Sequence, residues 1–166
     1  DSFYDASRFE SNKDIYSEIT NLISHNVDII DIGAESSRPG SESINITEEI
    51  NRLQPIFQII KDFPEVEFSI DTYKSEVAEI CLKKGFSIVN DIYAGRYDDK
   101  MYSIIKKYNK KIILMHMKGT PKNMQKNTSY KNTIEDINYF FDKRINSAVE
   151  AGINLKNIII DPGIGF

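Results

Sequence analysis

Five short apolar runs, each ending in a cluster of polar residues, divide this 166-residue chain into repeated units. The first run, at residues 27–32, leads into a polar loop at 33–40 that carries two serines, an arginine and a proline. Segments with apolar residues at helical spacing separate the runs. This alternation predicts parallel strands joined by helical crossovers, because such connections bring consecutive strands side by side in one direction.

The runs are nearly all apolar, which is typical of strands buried on both faces. Thr47 is predicted to cap the second helix, and Glu48 and Glu49 follow it in the first turn. Strands are predicted at residues 27–32, 66–70, 86–89, 111–115 and 157–160, and helices at 13–25, 47–61, 74–84, 98–108 and 132–151.

Two α/β folds fit this order of elements, an open doubly wound sheet and a (β/α)8 TIM barrel. An open sheet concentrates its site at one switch point, whereas a barrel gathers its site from many strand ends. Every predicted strand here ends in candidate site residues, which favours the barrel. These are Glu35, Ser37, Arg38, Asp71, Asn90, His116 and Asp161.

Composition excludes several classes of function. A net charge of −4 argues against a large nucleic-acid surface. A single cysteine, Cys81, excludes an internal disulfide, and two histidines make a histidine-based metal cluster unexpected. No run is long and apolar enough to span a membrane, and we predict no signal peptide. Cys81 is expected to be an inert core thiol, and His116 a half-buried, hydrogen-bonded histidine.

Three polar residues at strand ends suit a flat heterocycle that is rich in N–H donors. Asp71 and Asp161 would accept hydrogen bonds from such a ring, and Asn90 can both donate and accept. The alternative is that these residues cap the turns and helices that follow them, as Asp and Asn often do. Ser37 and Arg38 suit an anion, although serine is also common in ordinary loops.

Six motifs, taken in order along the chain, resemble the dihydropteroate synthases of the pterin-binding TIM-barrel family. No single motif is decisive, but the six together are specific and cover essentially the whole chain. They are Asp1-Ser-Phe-Tyr-Asp5, the stretch from Asp28 through Gly40, Ser69-Ile-Asp-Thr-Tyr73, Asn90-Asp-Ile92, Met115-His-Met117 and Asp161-Pro-Gly-Ile-Gly-Phe166.

The resemblance implies a transferase of folate biosynthesis that is a sulfonamide target. Such an enzyme joins 4-aminobenzoate to 6-hydroxymethyl-7,8-dihydropterin pyrophosphate and releases pyrophosphate. It implies catalytic roles for Asp5, Ser37 and Arg38, in which Asp5 stabilises a cationic pterin intermediate and Arg38 holds the departing pyrophosphate. Substrate-binding roles are implied for Phe3, Asp71, Asn90, Ile92, Met115, Asp161, Gly165 and Phe166.

The resemblance also implies Mg²⁺ as cofactor, with its main protein ligand expected upstream of residue 1. Residues 1–166 would then form a single incomplete pterin-binding barrel domain that covers about strands 2–6 with their helices. The full-length protein is expected to be a homodimer in the cytoplasm, or in an organelle if it is part of a fused folate enzyme. Its partners are expected to be small-molecule substrates, with no nucleic acid and no membrane.

The sequence departs from the family pattern at a few positions. Ser37 stands where threonine is usual, Ala34 replaces a usual glycine, and Ala6-Ser7 replaces a glycine pair. Two other functions stay open: a methyltetrahydrofolate methyltransferase-like enzyme, which would share the pterin-binding residues, and a non-catalytic pterin-binding module.

The isolated chain of 166 residues is predicted to be inactive, because the resemblance places further functional residues outside it. Its incomplete sheet would also expose two strand edges, which favour aggregation. Aminobenzoate-dependent turnover by a pure monomeric preparation of this chain alone would contradict the prediction.

Overall fold

The computed structural model describes residues 12–36, 42–120, 130 and 132–164. Five strands and five α-helices alternate along the chain, with two short 3₁₀ turns at Ile60–Asp62 and Leu155–Asn157. The helices are α1 (Asn12–Ser24), α2 (Ile46–Ile59), α3 (Ser75–Lys84), α4 (Met101–Tyr108) and α5 (Thr133–Glu150). The strands are β1 (Ile29–Gly33), β2 (Glu67–Asp71), β3 (Ile88–Asp91), β4 (Lys111–Met115) and β5 (Ile158–Asp161).

The five strands form one parallel sheet in which each strand pairs with its neighbour in sequence. A doubly wound sheet would reverse its strand order at a switch point, and no reversal occurs among these five strands. Sequential order is the arrangement of a (β/α)8 barrel, so the predicted choice of the barrel over the open sheet is confirmed.

The main hydrophobic core lies between the helices and one face of the sheet. Alternate strand residues such as Ile30, Ile70 and Leu114 point into it and are at most 2% exposed. The helices contribute residues such as Leu53 and Ile105, which have no exposed surface. The residues between the core-facing ones point to the opposite face, because strand side chains alternate.

That opposite face, called here the inner face, carries polar residues. The pairing of Asp31 with Ser69 and of Asp71 with Asn90 places all four on the inner face, because paired residues of adjacent strands share a face. Asp31 is exposed and Asp71 and Asn90 are half-buried, so this face is partly open to solvent in the described residues.

Several element boundaries differ from those predicted. The structure starts α2 at Ile46 and places Asn45, not Thr47, at its N-cap, where the Asn45 side chain accepts a hydrogen bond from the Glu48 N–H at 2.9 Å. The structure also starts α4 at Met101 rather than Asp98. Asp98 instead accepts hydrogen bonds from two N–H groups, those of Lys100 and of Ser75 in the first turn of α3.

Four strands extend beyond their predicted ends, and three of them, β2, β3 and β5, take up polar residues there. Asp71 and Asp161 are the last residues of β2 and β5, and Asn90 lies inside β3. A residue within a strand has its direction fixed by the pleat, whereas a loop residue does not. The extension is therefore what brings these side chains to one face.

Candidate functional site

Asp31, Asp71 and Asn90 meet at the carboxyl ends of three neighbouring strands. The Asn90 Nδ2 group donates a hydrogen bond to Asp31 Oδ2 at 3.1 Å. Gly33 is paired with Asp71, and a Cβ atom added at Gly33 would lie 3.3 Å from Asp71 Cβ. The missing side chain at Gly33 thus leaves room for the Asp71 carboxylate on the inner face.

The inner face also holds two buried polar atoms that lack a partner. Asn90 Oδ1 and Ser69 Oγ are the two buried side-chain oxygens or nitrogens without a hydrogen bond in the described part of the chain. Buried polar groups are nearly always paired, so each unpaired one calls for an explanation. A ligand with N–H or O–H donors on the inner face would supply the missing partners.

Asp71 has an environment that opposes ionisation. Burial, followed by the negative charges of Asp31 and Glu49, raises the pKa of Asp71 well above its ordinary value. A carboxylate in such surroundings is stabilised when a ligand donates N–H hydrogen bonds to it. Perturbed carboxylates of this kind are concentrated at binding and catalytic sites.

A small apolar cluster lies beside these carboxylates. Ile92, Met115 and Met117 are each at most 4% exposed, and Tyr73 and Tyr93 pack against them. The cluster is separate from the main core. The structure therefore brings Ile92 and Met115, which the resemblance names as apolar walls, together beside the strand ends that carry Asp71 and Asn90.

Asp161 is held at the end of β5 by local hydrogen bonds. Its Oδ1 atom accepts from the Gly163 N–H at 2.9 Å, and its backbone carbonyl accepts from the His116 N–H at 2.8 Å. Met115 and Asp161 are paired, so Asp161 shares the inner face with Met115. Asp161 therefore does cap the turn that follows it. It also lies on the inner face, which carries Asp71.

The turn-capping role does not hold for Asp71 or Asn90. The N-cap residue of α3 is Lys74, three residues after Asp71. The capping residue after β3 is Asp91, which is 1% exposed and accepts hydrogen bonds from the N–H groups of Tyr93 and Gly95. Burial raises the pKa of Asp91 to about 6, although both hydrogen bonds oppose the shift.

His116 and Cys81 are in structural positions. His116 is 8% exposed, more buried than predicted, and its ring packs edge-on against Phe140 with 4.9 Å between the ring centroids. Burial lowers the pKa of His116, and a hydrogen bond to the Pro162 backbone opposes that change. Cys81 has no exposed surface, and burial raises the pKa of its thiol, as expected for an inert core residue.

Ala34 lies where the family pattern has glycine, and the structure shows no strain there. Its φ angle is not positive, and its side chain is fully buried in the main core. The extra methyl group therefore packs as a core atom and does not require the conformational freedom of glycine.

Six predicted site residues lie outside the described residues: Phe3, Asp5, Ser37, Arg38, Gly165 and Phe166. One inner-face residue, Asp31, is not among the predicted site residues. An aspartate within an apolar run can point to either face of a strand, so the sequence alone did not mark it.

The described ranges contain neither a metal-ligand cluster nor a membrane-spanning helix. No group of three or more His, Cys, Asp or Glu side chains there is arranged to hold a metal ion. These residues alone therefore do not fit the Mg²⁺ site that the resemblance implies. None of the helices in the same ranges has the length and apolar character needed to cross a membrane.

Comparison with known proteins gives consistent matches along the whole chain. The family model described as "Pterin binding enzyme" matches residues 1–166. Dihydropteroate synthase of Clostridium beijerinckii is 41% identical over 166 residues, which are 100% of this chain and 59% of the relative. The mitochondrial folate synthesis bifunctional protein of Pisum sativum is 41% identical over 171 residues, 100% of this chain and 33% of the relative.

A solved structure has the same fold. The crystal structure of Yersinia pestis dihydropteroate synthase in a sulfonamide drug complex superposes with a TM-score of 0.92 at 33% identity. The match covers 100% of this chain and 60% of that protein. The chain thus spans about 60% of the length of the single-function synthases that it matches.

Proposed function

Because this chain belongs to the pterin-binding enzyme family, we propose that the protein carrying it is a dihydropteroate synthase. The reaction joins 4-aminobenzoate to 6-hydroxymethyl-7,8-dihydropterin pyrophosphate and gives 7,8-dihydropteroate and pyrophosphate. One observation carries the proposal for this chain: the inner face combines three carboxylates, an amide and two unpaired buried oxygens with an adjacent apolar cluster.

The chemistry of a dihydropterin ring matches that face. The edge of the ring presents N–H donors and its two faces are apolar. Asp71 and Asp161 would accept from the ring N–H groups, and Asn90 Oδ1 would gain the partner that it lacks. Ile92 and Met115 would contact the ring faces. Asp31 would hold Asn90 through the 3.1 Å hydrogen bond and fix the direction of its amide.

The proposed reaction is a displacement at the methylene carbon of the pterin. The carbon–oxygen bond breaks and pyrophosphate leaves with the electron pair. The aniline nitrogen of aminobenzoate then forms the new carbon–nitrogen bond and loses a proton. Positive charge develops on the pterin in this step, and the carboxylates of Asp71 and Asp161 would stabilise it electrostatically.

The remaining assignments concern residues outside the described ranges. We retain Asp5, Ser37 and Arg38 as catalytic residues and Phe3, Gly165 and Phe166 as substrate contacts. Mg²⁺ also stays a proposal and would need ligands beyond the described residues, so no step is assigned to it. A full-length homodimer is proposed, located in the cytoplasm or, as the name of the pea relative suggests, in an organelle.

The proposed function predicts aminobenzoate-dependent release of pyrophosphate by the full-length protein. Purified protein would be incubated with the dihydropterin pyrophosphate, with and without aminobenzoate, and both pyrophosphate and dihydropteroate would be measured. A sulfonamide is expected to compete with aminobenzoate. Pterin binding without turnover would instead favour a binding module, and methyl transfer from methyltetrahydrofolate would favour a methyltransferase.

Pterin affinity is expected to fall as the pH decreases through the raised pKa of Asp71. Asp71 has a raised pKa, so it takes up a proton on acidification and loses its charge-assisted hydrogen bonds to the ligand. Asp31→Asn removes a neighbouring negative charge that raises the pKa of Asp71, and the loss of affinity should then shift to lower pH. Binding titrations across the pH range would measure this shift.

Asparagine at position 31 keeps an oxygen that can accept a hydrogen bond from Asn90 Nδ2. Comparison of the Asp31→Asn variant with the unsubstituted protein therefore isolates the effect of the charge of Asp31. Superimposable pH profiles of the Asp31→Asn variant and the unsubstituted protein would show that Asp71 is not the titrating group.

A further inference from the structure

Residues 72–74, which follow the end of β2, direct three side-chain donors at two glutamates from earlier elements. The Thr72 hydroxyl donates to Glu49 Oε1 at 2.7 Å. The Tyr73 hydroxyl donates to Glu35 Oε1 at 2.5 Å. The Lys74 ammonium group donates to the second oxygen of each glutamate. The turn after β2 is therefore held from α2, which carries Glu49, and from the residues just after β1, where Glu35 lies.

This network is largely buried, and its charges are paired. Glu49, Thr72 and Lys74 are all buried. Burial would lower the pKa of Lys74, but its hydrogen bonds to Glu35 and Glu49 raise it overall, so Lys74 is charged at neutral pH. The Thr72 oxygen also accepts from the Lys74 N–H at 3.3 Å. Hydrogen bonds to charged partners in a protein interior are strong, so the turn has little freedom to move.

Thr72 connects this network to the strand ends that carry Asp71 and Asn90. It follows Asp71 directly, and its backbone N–H donates to the Asn90 carbonyl at 3.1 Å. Its side chain is bound to Glu49 of α2, so a single residue joins α2, β2 and β3. A shift of Thr72 would therefore displace Asp71 and disturb the hydrogen bond to Asn90.

Tyr73 makes a corresponding connection to the apolar cluster beside the carboxylates. Its ring packs against that cluster and lies edge-on to the ring of Tyr93, with 5.0 Å between the ring centroids. Its hydroxyl group is bound to Glu35 at the same time. Neighbouring residues of one turn thus support the two halves of the inner-face site, the polar strand ends and the apolar cluster.

We propose that Thr72 and Tyr73 are positioning residues, whose hydroxyl groups hold Asp71 and the apolar cluster in the arrangement that binds the pterin ring. The proposal rests on the proposed function, in which Asp71 accepts hydrogen bonds from the ring N–H groups. Both hydroxyl protons are used by glutamates, so the two residues act through their neighbours and not by contact with the ring.

Thr72→Val in the full-length protein tests the proposal, because valine keeps the branched shape and removes the hydroxyl group. The dissociation constant of 6-hydroxymethyldihydropterin is expected to rise by about tenfold, because Asp71 is no longer held towards the ring. Thr72→Ser restores the hydroxyl group and should return the constant to within about threefold of the unsubstituted value. Calorimetric titration would measure the constants. A loss of stability alone would lower the melting temperature and leave the affinity of the folded protein unchanged.

Tyr73→Phe and Tyr108→Phe form a matched pair of variants. Each removes one hydroxyl group that donates to a glutamate, and the contact of Tyr108 is with Glu79 Oε1 at 3.0 Å. This contact joins α4 to α3 in the helix layer, away from the inner face. Tyr73→Phe is expected to raise the pterin dissociation constant by about fivefold. Tyr108→Phe should leave it within about twofold, and equal effects would overturn the positioning role.

If Thr72→Val does not fold, the tyrosine pair decides the question, because each of those variants removes a single oxygen atom. A Thr72→Ser variant that binds pterin as weakly as Thr72→Val would show that the hydroxyl group is not what holds the site. Absence of pterin binding by the unsubstituted protein would overturn the proposed function and this proposal together. Pterin binding there, with unchanged affinity in Thr72→Val and Tyr73→Phe, would overturn the positioning role alone.

Discussion

Asp71→Ala in the full-length protein is expected to weaken dihydropterin binding by about 100-fold. The substitution removes a charged acceptor and leaves the ring N–H groups without a partner in a desolvated site, which costs about 3 kcal/mol. Titration of 6-hydroxymethyldihydropterin by calorimetry or fluorescence would measure the change. Unaltered affinity would show that Asp71 does not bind the pterin and has only a local structural role.

The same substitution should not destabilise the fold at neutral pH. A raised pKa means that the folded state favours the protonated carboxyl group, so the contribution of Asp71 to stability is lost as the pH rises through the raised value. Above that value the ionised side chain destabilises the protein, and alanine removes this cost. The melting temperature is therefore expected to stay equal or to rise while binding is lost.

Asp62→Ala provides the control for charge alone. Asp62 is exposed in the 3₁₀ turn after α2, and this turn leads into the end of β2 that is opposite Asp71. Pterin affinity of this variant should remain within about twofold of the unsubstituted protein. An equal loss in both variants would point to a non-specific electrostatic effect rather than a direct contact of Asp71.

Gly163→Ala is expected to lower both stability and pterin affinity. Gly163 has a φ of 67°, and an added Cβ would lie 2.1 Å from the His116 carbonyl oxygen, a backbone atom that cannot turn aside. The backbone must shift there, and this shift disturbs the hydrogen bond from the Gly163 N–H to Asp161 Oδ1. We expect a loss of about 3 kcal/mol in the free energy of unfolding and at least about tenfold in affinity.

Gly85→Ala is the control that separates the effect of backbone strain from the effect of the steric clash at Gly163. Gly85 also has a positive φ, 121°, but its added Cβ would meet only Ile60 Cδ1 at 3.6 Å, an ordinary contact. Denaturant unfolding should show a smaller loss of stability for this variant, about 1 kcal/mol, and pterin titration should show unchanged affinity. Equal effects of the two substitutions on affinity would contradict the placement of Asp161 at the site.

The sequence was sufficient to predict that three polar residues lie together at one side of the sheet, because of how parallel sheets are built. Asp71, Asn90 and Asp161 each follow an apolar run, and parallel strands in sequential order bring their carboxyl ends to one side. The strand ends themselves were predicted too early, because polar residues normally mark loops. Here Asp71, Asn90 and Asp161 lie within the strands and share the inner face.

Two residues show what the sequence could not reveal. Asp31 required knowledge of the strand register, because an aspartate within an apolar run can point to either face. Lys74 resembled an ordinary residue at a helix start. Its acidic partners Glu35 and Glu49 lie 39 and 25 residues away in sequence, so no local pattern connects them. Long-range ion pairs of this kind become visible only in the folded chain.

Local capping chemistry was also only partly predictable. Asn45 and Thr47 both lie near the start of α2 and both residue types cap helices well, so the sequence alone does not decide between them. Asp98 was expected to begin α4, and its side chain instead accepts from the first turn of α3. The side chain of Asp98 thus caps a helix that lies earlier in the chain. This contact depends on the tertiary fold and cannot be predicted from the local sequence.

The pairing of each strand with its neighbour in sequence has a consequence for synthesis on the ribosome. As the chain emerges, β2 can pair with β1, and each later strand can join the edge completed just before it. Asp71 and Asn90 then come together early, whereas Asp161 arrives only with β5. Translation order would therefore leave the inner-face site incomplete until the last of these strands docks, and a stall before residue 158 would expose β4 as an unpaired edge.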